Sequence, residues 1–244
     1  MSMGPLIQEY KILSSDADLY RRLRLSRLFT LLQEAAIAHT EALGFGREMT
    51  LDRGYLWVVA LQQVRIRRLP CYDETVRLES IPGETMHTLY PRHTRMTDRQ
   101  GNELLSASAI WTLIDARSRT MTAPEQTGVQ IHAIAADWQG FFPKPPRAAS
   151  EADQLEWTVP YSAADLNGHM NNAKYLDLAE DLMPERLRAG AVREIFAEYA
   201  GEVLAGERLR LCREAGADRF LLTGHLAKRV FRIGLNYDMG DETA

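Results

Sequence analysis

The 244-residue chain is short of several things, and each shortage removes a class of function. Its two cysteines, Cys71 and Cys212, are too few for a disulfide framework or a structural zinc site. Neither has a metal-ligand neighbour at useful spacing, and no pair of histidines does either, so neither metal nor cofactor is expected. No apolar run approaches the roughly 18 residues of a membrane span. The opening Met-Ser-Met-Gly-Pro-Leu-Ile-Gln-Glu-Tyr lacks the apolar core of a signal peptide and the arginine- and serine-rich character of a transit segment, so a cytoplasmic location is expected. A net charge of -4 argues against a general nucleic-acid binder. Lysine is scarce, with only positions 11, 144, 174 and 228 among 29 basic residues. Arginine suits planar contacts to carboxylates and phosphates, although a genomic composition bias explains its share equally well. The remaining composition, 45% hydrophobic and 25% charged, is that of an ordinary globular protein with a sizeable core.

The stretch that organises the chain is Asp165-Leu166-Asn167-Gly168-His169-Met170-Asn171-Asn172-Ala173-Lys174-Tyr175. A carboxylate, an amide and an imidazole stand at alternate positions. Behind them, from about Met170 to Gly190, apolar residues such as Tyr175, Leu176, Ala179, Leu182 and Met183 recur at helical spacing. Asp165 and Asn167 are good capping residues, and a helix N-terminus offers free N–H groups and a positive dipole end to a developing oxyanion. The same pattern also suits a capped loop whose His and Asn only satisfy backbone groups.

Two passes through one programme are visible. In the first, a strand over 5–14 is followed by a helix from Arg24 to about Leu43 that Gly44 and Gly46 stop. Strands then follow over 55–68, 75–81, 88–97 and 103–115, with a short one near 119–122. Residues 137–153 contain Phe141-Phe142-Pro143-Lys144-Pro145-Pro146, which can continue neither strand nor helix and reads as a linker packed on the surface. The second pass has a strand at 155–159, the signature with its helix, and strands near 193–204, 207–215, 218–227 and 229–237. An offset of 147 lays Asp18-Leu19-Tyr20-Arg21-Arg22-Leu23 on Asp165 to Met170, and an offset of 133 lays Pro70 to Leu78 on Val203 to Leu211. Where the second half has Asn167 and His169, the first has Tyr20 and Arg22, so one half looks equipped for chemistry and the other does not.

The sequence resembles the acyl-acyl-carrier-protein thioesterases, the double hotdog enzymes best known from plant plastids and also present in bacteria. The residues that carry the resemblance are Asp165-x-Asn167-Gly168-His169-x-Asn171-Asn172-x-Lys174-Tyr175 and Glu198-Tyr199-Ala200-Gly201-Glu202-Val203, with Trp111-x-x-x-Asp115-x-x-x-Arg119 in the first half. The resemblance implies an α+β chain of two tandem hotdog domains, 1–145 and 153–244, each an antiparallel sheet wrapped around a central helix. The first domain would hold the acyl-chain pocket, between Leu28, Leu31, Leu32 and Ala35 of its helix and Trp57, Val59 and Leu61 of its sheet. The second would carry the catalytic residues Asp165, Asn167, His169 and Glu202. Plant members have a cysteine directly after that glutamate; Val203 stands here, which excludes a cysteine–histidine mechanism at this position.

The implied reaction is hydrolysis of a fatty acyl thioester on an acyl carrier protein. Such hydrolysis needs an attacking or water-activating carboxylate and an oxyanion site. Asp165 would serve as the carboxylate, Asn167 as its positioner and His169, oriented by Glu202, as the proton carrier; the two carboxylates could exchange roles. N–H groups at the start of the 170–190 helix would hold the oxyanion. Acyl-coenzyme A as substrate, a hydratase-type reaction on the same fold, and acyl binding without turnover stand as alternatives. An acidic carrier calls for a basic docking surface, for which Arg21, Arg22, Arg24 and Arg27, or Arg65, Arg67 and Arg68, are candidates, though a solvated face reads the same way. His39, His87, His93, His132 and His225 are expected to be structural, and Cys212 to be core. A tandem repeat already supplies the pairing that single hotdogs obtain as dimers, so monomer and homodimer are both open.

Overall fold

Alternation of apolar and polar residues builds ten strands, and two stretches of helical period supply the elements they pack against. A computed structural model describes residues 4–166 and 168–239; Asn167 and the two chain ends lie outside the described residues. In chain order the elements are β1 (Leu6–Lys11), α1 (Leu25–Thr40), β2 (Tyr55–Ile66), β3 (Thr75–Pro82), β4 (Tyr90–Thr97), β5 (Glu103–Asp115) and a short α2 (Pro124–Thr127). The second half contributes β6 (Gln154–Thr158), α3 (Lys174–Leu182), α4 (Glu185–Ala189), β7 (Ala191–Tyr199), β8 (Arg208–Ala215), β9 (Arg219–His225) and β10 (Arg229–Asp238).

All strands pair antiparallel in one ten-stranded sheet of order β1-β3-β4-β5-β2-β7-β10-β9-β8-β6. Read outward from the middle, each half repeats the other, with β2 answering to β7 and β1 to β6. The halves join where β2 pairs with β7, from Leu61 opposite Glu198 to Arg65 opposite Glu194. One face of α1 (Leu28, Leu31, Leu32, Ala35) and one of α3 (Tyr175, Leu176, Ala179) share a single core with sheet residues such as Val64, Ile195 and Phe231.

The internal repeat extends to individual hydrogen bonds. The Asp18 amide donates to Arg22 O at 2.7 Å, as the Asp165 amide does to His169 O at 2.8 Å. Leu23 donates to Pro70 O as Met170 does to Val203 O, and the bridge Arg22–Cys71 repeats as His169–Leu204. Arg21 (φ 63°) and Gly168 (φ 79°) both take the left-handed conformation at the tip of this loop.

Two expected elements differ. The strand near 119–122 is a single bridge between Ile114 and Met121. The helix expected from Met170 to Gly190 begins at Lys174 and breaks after Leu182. Pro184 has no N–H to continue it and holds Met183 in extended backbone (φ -81°, ψ 154°).

The linker over 137–153 crosses the sheet face opposite the helices and is tied down along its length. The Phe141 amide donates to Ser108 Oγ, Lys144 to Gln63 Oε1 and Ala149 to Thr223 Oγ1, while the Arg65 guanidinium lies 3.9 Å from the Phe141 ring centroid. Gly140 passes so close to His93 that a Cβ would stand 2.0 Å from its Cγ. Gly140→Ala is therefore expected to destabilise the protein by about 1–3 kcal/mol, the usual cost of overpacking, read as a fall in the urea midpoint with unchanged slope. A neutral result would mean that the crossing is not packed as described.

Candidate active site

The loop of the signature sits at the seam between the halves. Gly168 donates to Asp165 O at 3.0 Å and closes the turn that presents His169. Beyond it, Asn171 caps the entry to α3: its Oδ1 accepts from the Ala173 amide at 2.9 Å and its carbonyl from Lys174 at 2.8 Å. Two of the N–H groups expected to face an oxyanion are thus already satisfied within the loop. Asn172 is fixed from both sides, its amide donating to Gln33 Oε1 on α1 at 3.2 Å and its carbonyl accepting from the Tyr199 hydroxyl at 3.0 Å. Tyr199 stands edge-on to Tyr175, whose ring meets Phe231 in the core, and burial holds both phenols neutral by raising their values. The tyrosines of the two motifs are therefore pegs for the loop.

Four residues after Glu198, the chain leaves β7 and brings Glu202 to His169. His169 Nε2 lies 3.4 Å from Glu202 Oε2, with the imidazole one-fifth exposed. The other oxygen, Oε1, meets Arg119 Nη1 at 2.8 Å, so a guanidinium from the first half completes a site that otherwise belongs to the second. Arg119 had only entered as part of a spacing, and the structure gives that spacing a reason. The Asp115 carboxylate accepts from the amides of Arg117 and Ser118 and from the Ser118 hydroxyl, and these bonds hold it below the usual carboxylate range. The turn they close leaves Arg119 at φ 57°, aimed across the seam.

Asp165 is half-buried on the other side of the loop. Burial raises the value of the Tyr175 phenol, and the Asp165 charge adds to that rise. Asp165 lines a polar cleft of about 780 Å³ between the two helices, together with Asp18, Arg22, Lys174 and Glu180. Asn167, the fourth expected catalytic residue, lies outside the described residues. Val203 is buried core, 1% exposed, and Cys212 is wholly buried between strands, while Cys71 lies at the equivalent loop of the first half, bridged to Arg22.

At the equivalent place in the first half, Arg22 pairs with Asp18 at 2.9 Å and donates to the carbonyls of Arg188 and Gly190. The position equivalent to Glu202 is Leu69, which is buried. That half therefore has neither the imidazole nor the carboxylate.

An apolar cavity of about 260 Å³ lies in the first half, and it meets the expected sheet residue Trp57 but not the expected helix residues. Leu28, Leu31, Leu32 and Ala35 close on the sheet as solid core, and the cavity opens one turn later, between Ala36, Ile37 and Thr40 of α1 and Trp57, Tyr90 and Trp111 of the sheet. The basic clusters are largely spent within the molecule: Arg27 pairs with Asp16, Arg67 with Glu103, and Arg68 grips Glu74 with both Nη atoms. The remaining histidines have structural partners where partners are seen, as in His93 with Ser108 and His132 with Glu84. Among the described residues no cluster of His, Cys, Asp and Glu could hold a metal, and no helix is long and apolar enough to cross a membrane.

Glu180 gives the cleft a pH signature. Burial first, and then the carboxylates of Asp177 and Asp18, raise it from the ordinary 4.5 to about 7 against the pull of Arg24 and Arg22. The folded state thus keeps a proton that the unfolded chain releases earlier. This contribution to stability is full below pH 4.5, declines as pH rises and is lost through pH 7. Glu180→Gln is expected to stabilise the protein by about 2 kcal/mol at pH 8 and by much less at pH 5; equal melting shifts at both would contradict the assignment.

The family models "Acyl-ACP thioesterase N-terminal domain" and "Acyl-ACP thioesterase C-terminal domain" match residues 6–127 and 147–237. A chloroplastic acyl-acyl-carrier-protein hydrolase of Cuphea viscosissima is 25% identical over 211 residues, 80% of this chain and 51% of that protein. A dodecanoyl-acyl-carrier-protein hydrolase of Cinnamomum camphora is 26% identical over 171 residues, 64% of this chain and 45% of that protein. The chain thus spans about half the length of the curated relatives it matches. Among solved structures, an acyl-ACP thioesterase from Bacteroides thetaiotaomicron superposes with a TM-score of 0.84 at 19% identity, covering 96% of this chain and 98% of that one. The 12:0-ACP thioesterase from Umbellularia californica does so at 0.79 and 20%, covering 98% of each. The fold is the tandem hotdog, and the chain belongs to the acyl-ACP thioesterase family.

Proposed function

We propose that this chain hydrolyses the thioester between a fatty acyl group and an acyl carrier protein, releasing the free fatty acid and ending its elongation. The observation that supports this best is the junction of His169, Glu202 and Arg119 behind the Asp165 loop, in a chain of this family. Water adds to the thioester carbonyl, the C–S bond breaks, and the thiol leaves with a proton. Asp165 attacks the carbonyl or draws the proton from water, and Asn167 positions it. His169 carries a proton to the departing sulfur. Glu202, with one oxygen on Arg119 and the other toward His169, orients the imidazole and steadies its cationic form, which is why Asp165 rather than Glu202 is assigned the attack. The half spanning 153–244 performs the chemistry, and the cavity in 1–145 receives the chain. The protein works in the cytoplasm as a monomer or homodimer, without a cofactor.

Hydrolysis of matched acyl-carrier-protein and acyl-coenzyme A substrates across chain lengths tests the reading. Asp165→Ala and His169→Ala are each expected to lower kcat by about 100-fold or more, with KM little changed. Turnover that favours coenzyme A would replace the carrier, and turnover untouched by either substitution would remove these residues from the mechanism. Among the described residues Arg21 and Arg24 form no ion pair, which leaves them available to an acidic carrier protein. The rate at low carrier-protein substrate should accordingly fall as salt rises toward 0.5 M, while the rate at saturation holds; a salt-independent rate would remove the electrostatic docking.

A further inference from the structure

Arg92 is a buried charge without a counter-charge. It projects from the helix-facing side of β4, is 5% exposed, and takes part in no ion pair among the described residues. Its Nη1 donates to His39 Nδ1 at 2.7 Å and its Nη2 to Thr40 Oγ1 at 2.8 Å. A guanidinium can only donate, so His39 Nδ1 must accept, and the ring hydrogen sits on Nε2, facing Gly4 O at 3.2 Å. His39 is therefore neutral, held down to about 4 by burial and by Arg92 itself. Burial lowers Arg92 to about 10, which leaves it charged at neutral pH.

A second donor residue borders the same space. Trp111, on the neighbouring strand β5, has a buried Nε1–H with no partner among the described residues. Trp111 and Arg92 both line the apolar cavity, and both also line a smaller void of about 10 Å³ walled by Gln33, Gln62 and Thr94. That volume is close to what one oxygen of a water molecule occupies. The order along α1 is informative. Gln33 touches Asn172 of the signature loop and borders the void, Ala36 borders void and cavity, and Ile37 and Thr40 border the cavity alone. An acyl group entering from the signature loop would meet the donors first and the apolar space after them. A plain alkyl chain would seal the Trp111 Nε1–H, and the guanidinium N–H groups not taken by His39 and Thr40, from water without offering them an acceptor.

We propose that the acyl group selected by this protein carries a hydroxyl or keto oxygen, which seats on Arg92 and Trp111 at the void while its apolar tail fills the cavity beyond. This rests on the thioesterase reading above and narrows its substrate class. A reaction that leaves oxygen on the growing chain, by hydrating a double bond or by condensing two acyl units, must then supply the substrate.

The test pairs acyl-carrier-protein substrates of equal length with and without oxygen (3-hydroxy, 3-oxo and mid-chain hydroxy against unsubstituted) and follows kcat/KM. Displacement of a fluorescent fatty-acid probe by the free hydroxylated and unsubstituted acids gives a readout that needs no turnover. The expected result is a preference of at least about tenfold for one oxygenated form, in both assays. Arg92→Met and Trp111→Phe should each reduce that preference, read as the ratio of kcat/KM values within one variant, to near unity; Trp111→Phe, the milder change, decides if Arg92→Met does not fold. Equal or better use of the unsubstituted chain by the unaltered protein, with the ratio unmoved by either substitution, would show that the void holds only water and would overturn the proposal. Preferential displacement by hydroxylated acids without hydrolysis of any thioester would uphold the site and remove the thioesterase reading, so the two can fail separately.

Discussion

Five residue pairs between β2 and β7 hold the two half-sheets in register, and the geometry of the candidate site depends on that pairing. Glu198 stands opposite Leu61 in the last of these pairs, and four residues later Glu202 emerges beyond the strand end. On the other side β2 pairs with β5, whose final residue Asp115 anchors the turn that directs Arg119. A shift of one residue would turn every inward side chain outward and would also separate Arg119 from Glu202. Core packing and site geometry are thus settled by one set of backbone hydrogen bonds.

On this frame the repeated loop has two destinies. In both halves an aspartate amide closes the loop onto the residue four positions on, and the next residue donates back to the chain leaving the strand. In the second half the closing residue is His169 and its neighbour across the bridge segment is Glu202. In the first the same place holds Arg22, which is spent on carbonyls of the opposite half, and Leu69, which is buried. The two halves share the backbone device and differ in its side chains, one set meeting at the candidate site and the other holding the halves together.

Much of this was legible from residue patterns because period and punctuation are local. Strands alternate, α1 keeps its stripe, and both repeat offsets recur in the hydrogen bonds. The failures are equally physical. Helical spacing ran on through Met183-Pro184 because apolar periodicity does not register a missing N–H. The cavity was placed a turn early because a core leucine and a pocket leucine have the same side chain, and only packing tells them apart. Of the candidate site, the motif singled out Asp165, His169 and Glu202, whereas the contact of Arg119 with Glu202 spans the two halves and has no local signal. Asp115 and its turn were the one available hint.

The crossing of residues 137–153 carries a consequence of a different kind. By keeping the second half-sheet attached to the first, it turns their association into an intramolecular event with an effective concentration of about the millimolar order, however dilute the protein. A β2–β7 seam of five pairs need not hold by its own affinity. Nor must the two partners be identical, as they are when two copies of one chain associate: every molecule contains one half of each kind. Tethering therefore frees the seam from self-complementarity, and an arginine on one side can face a glutamate on the other without any need for the reciprocal pair.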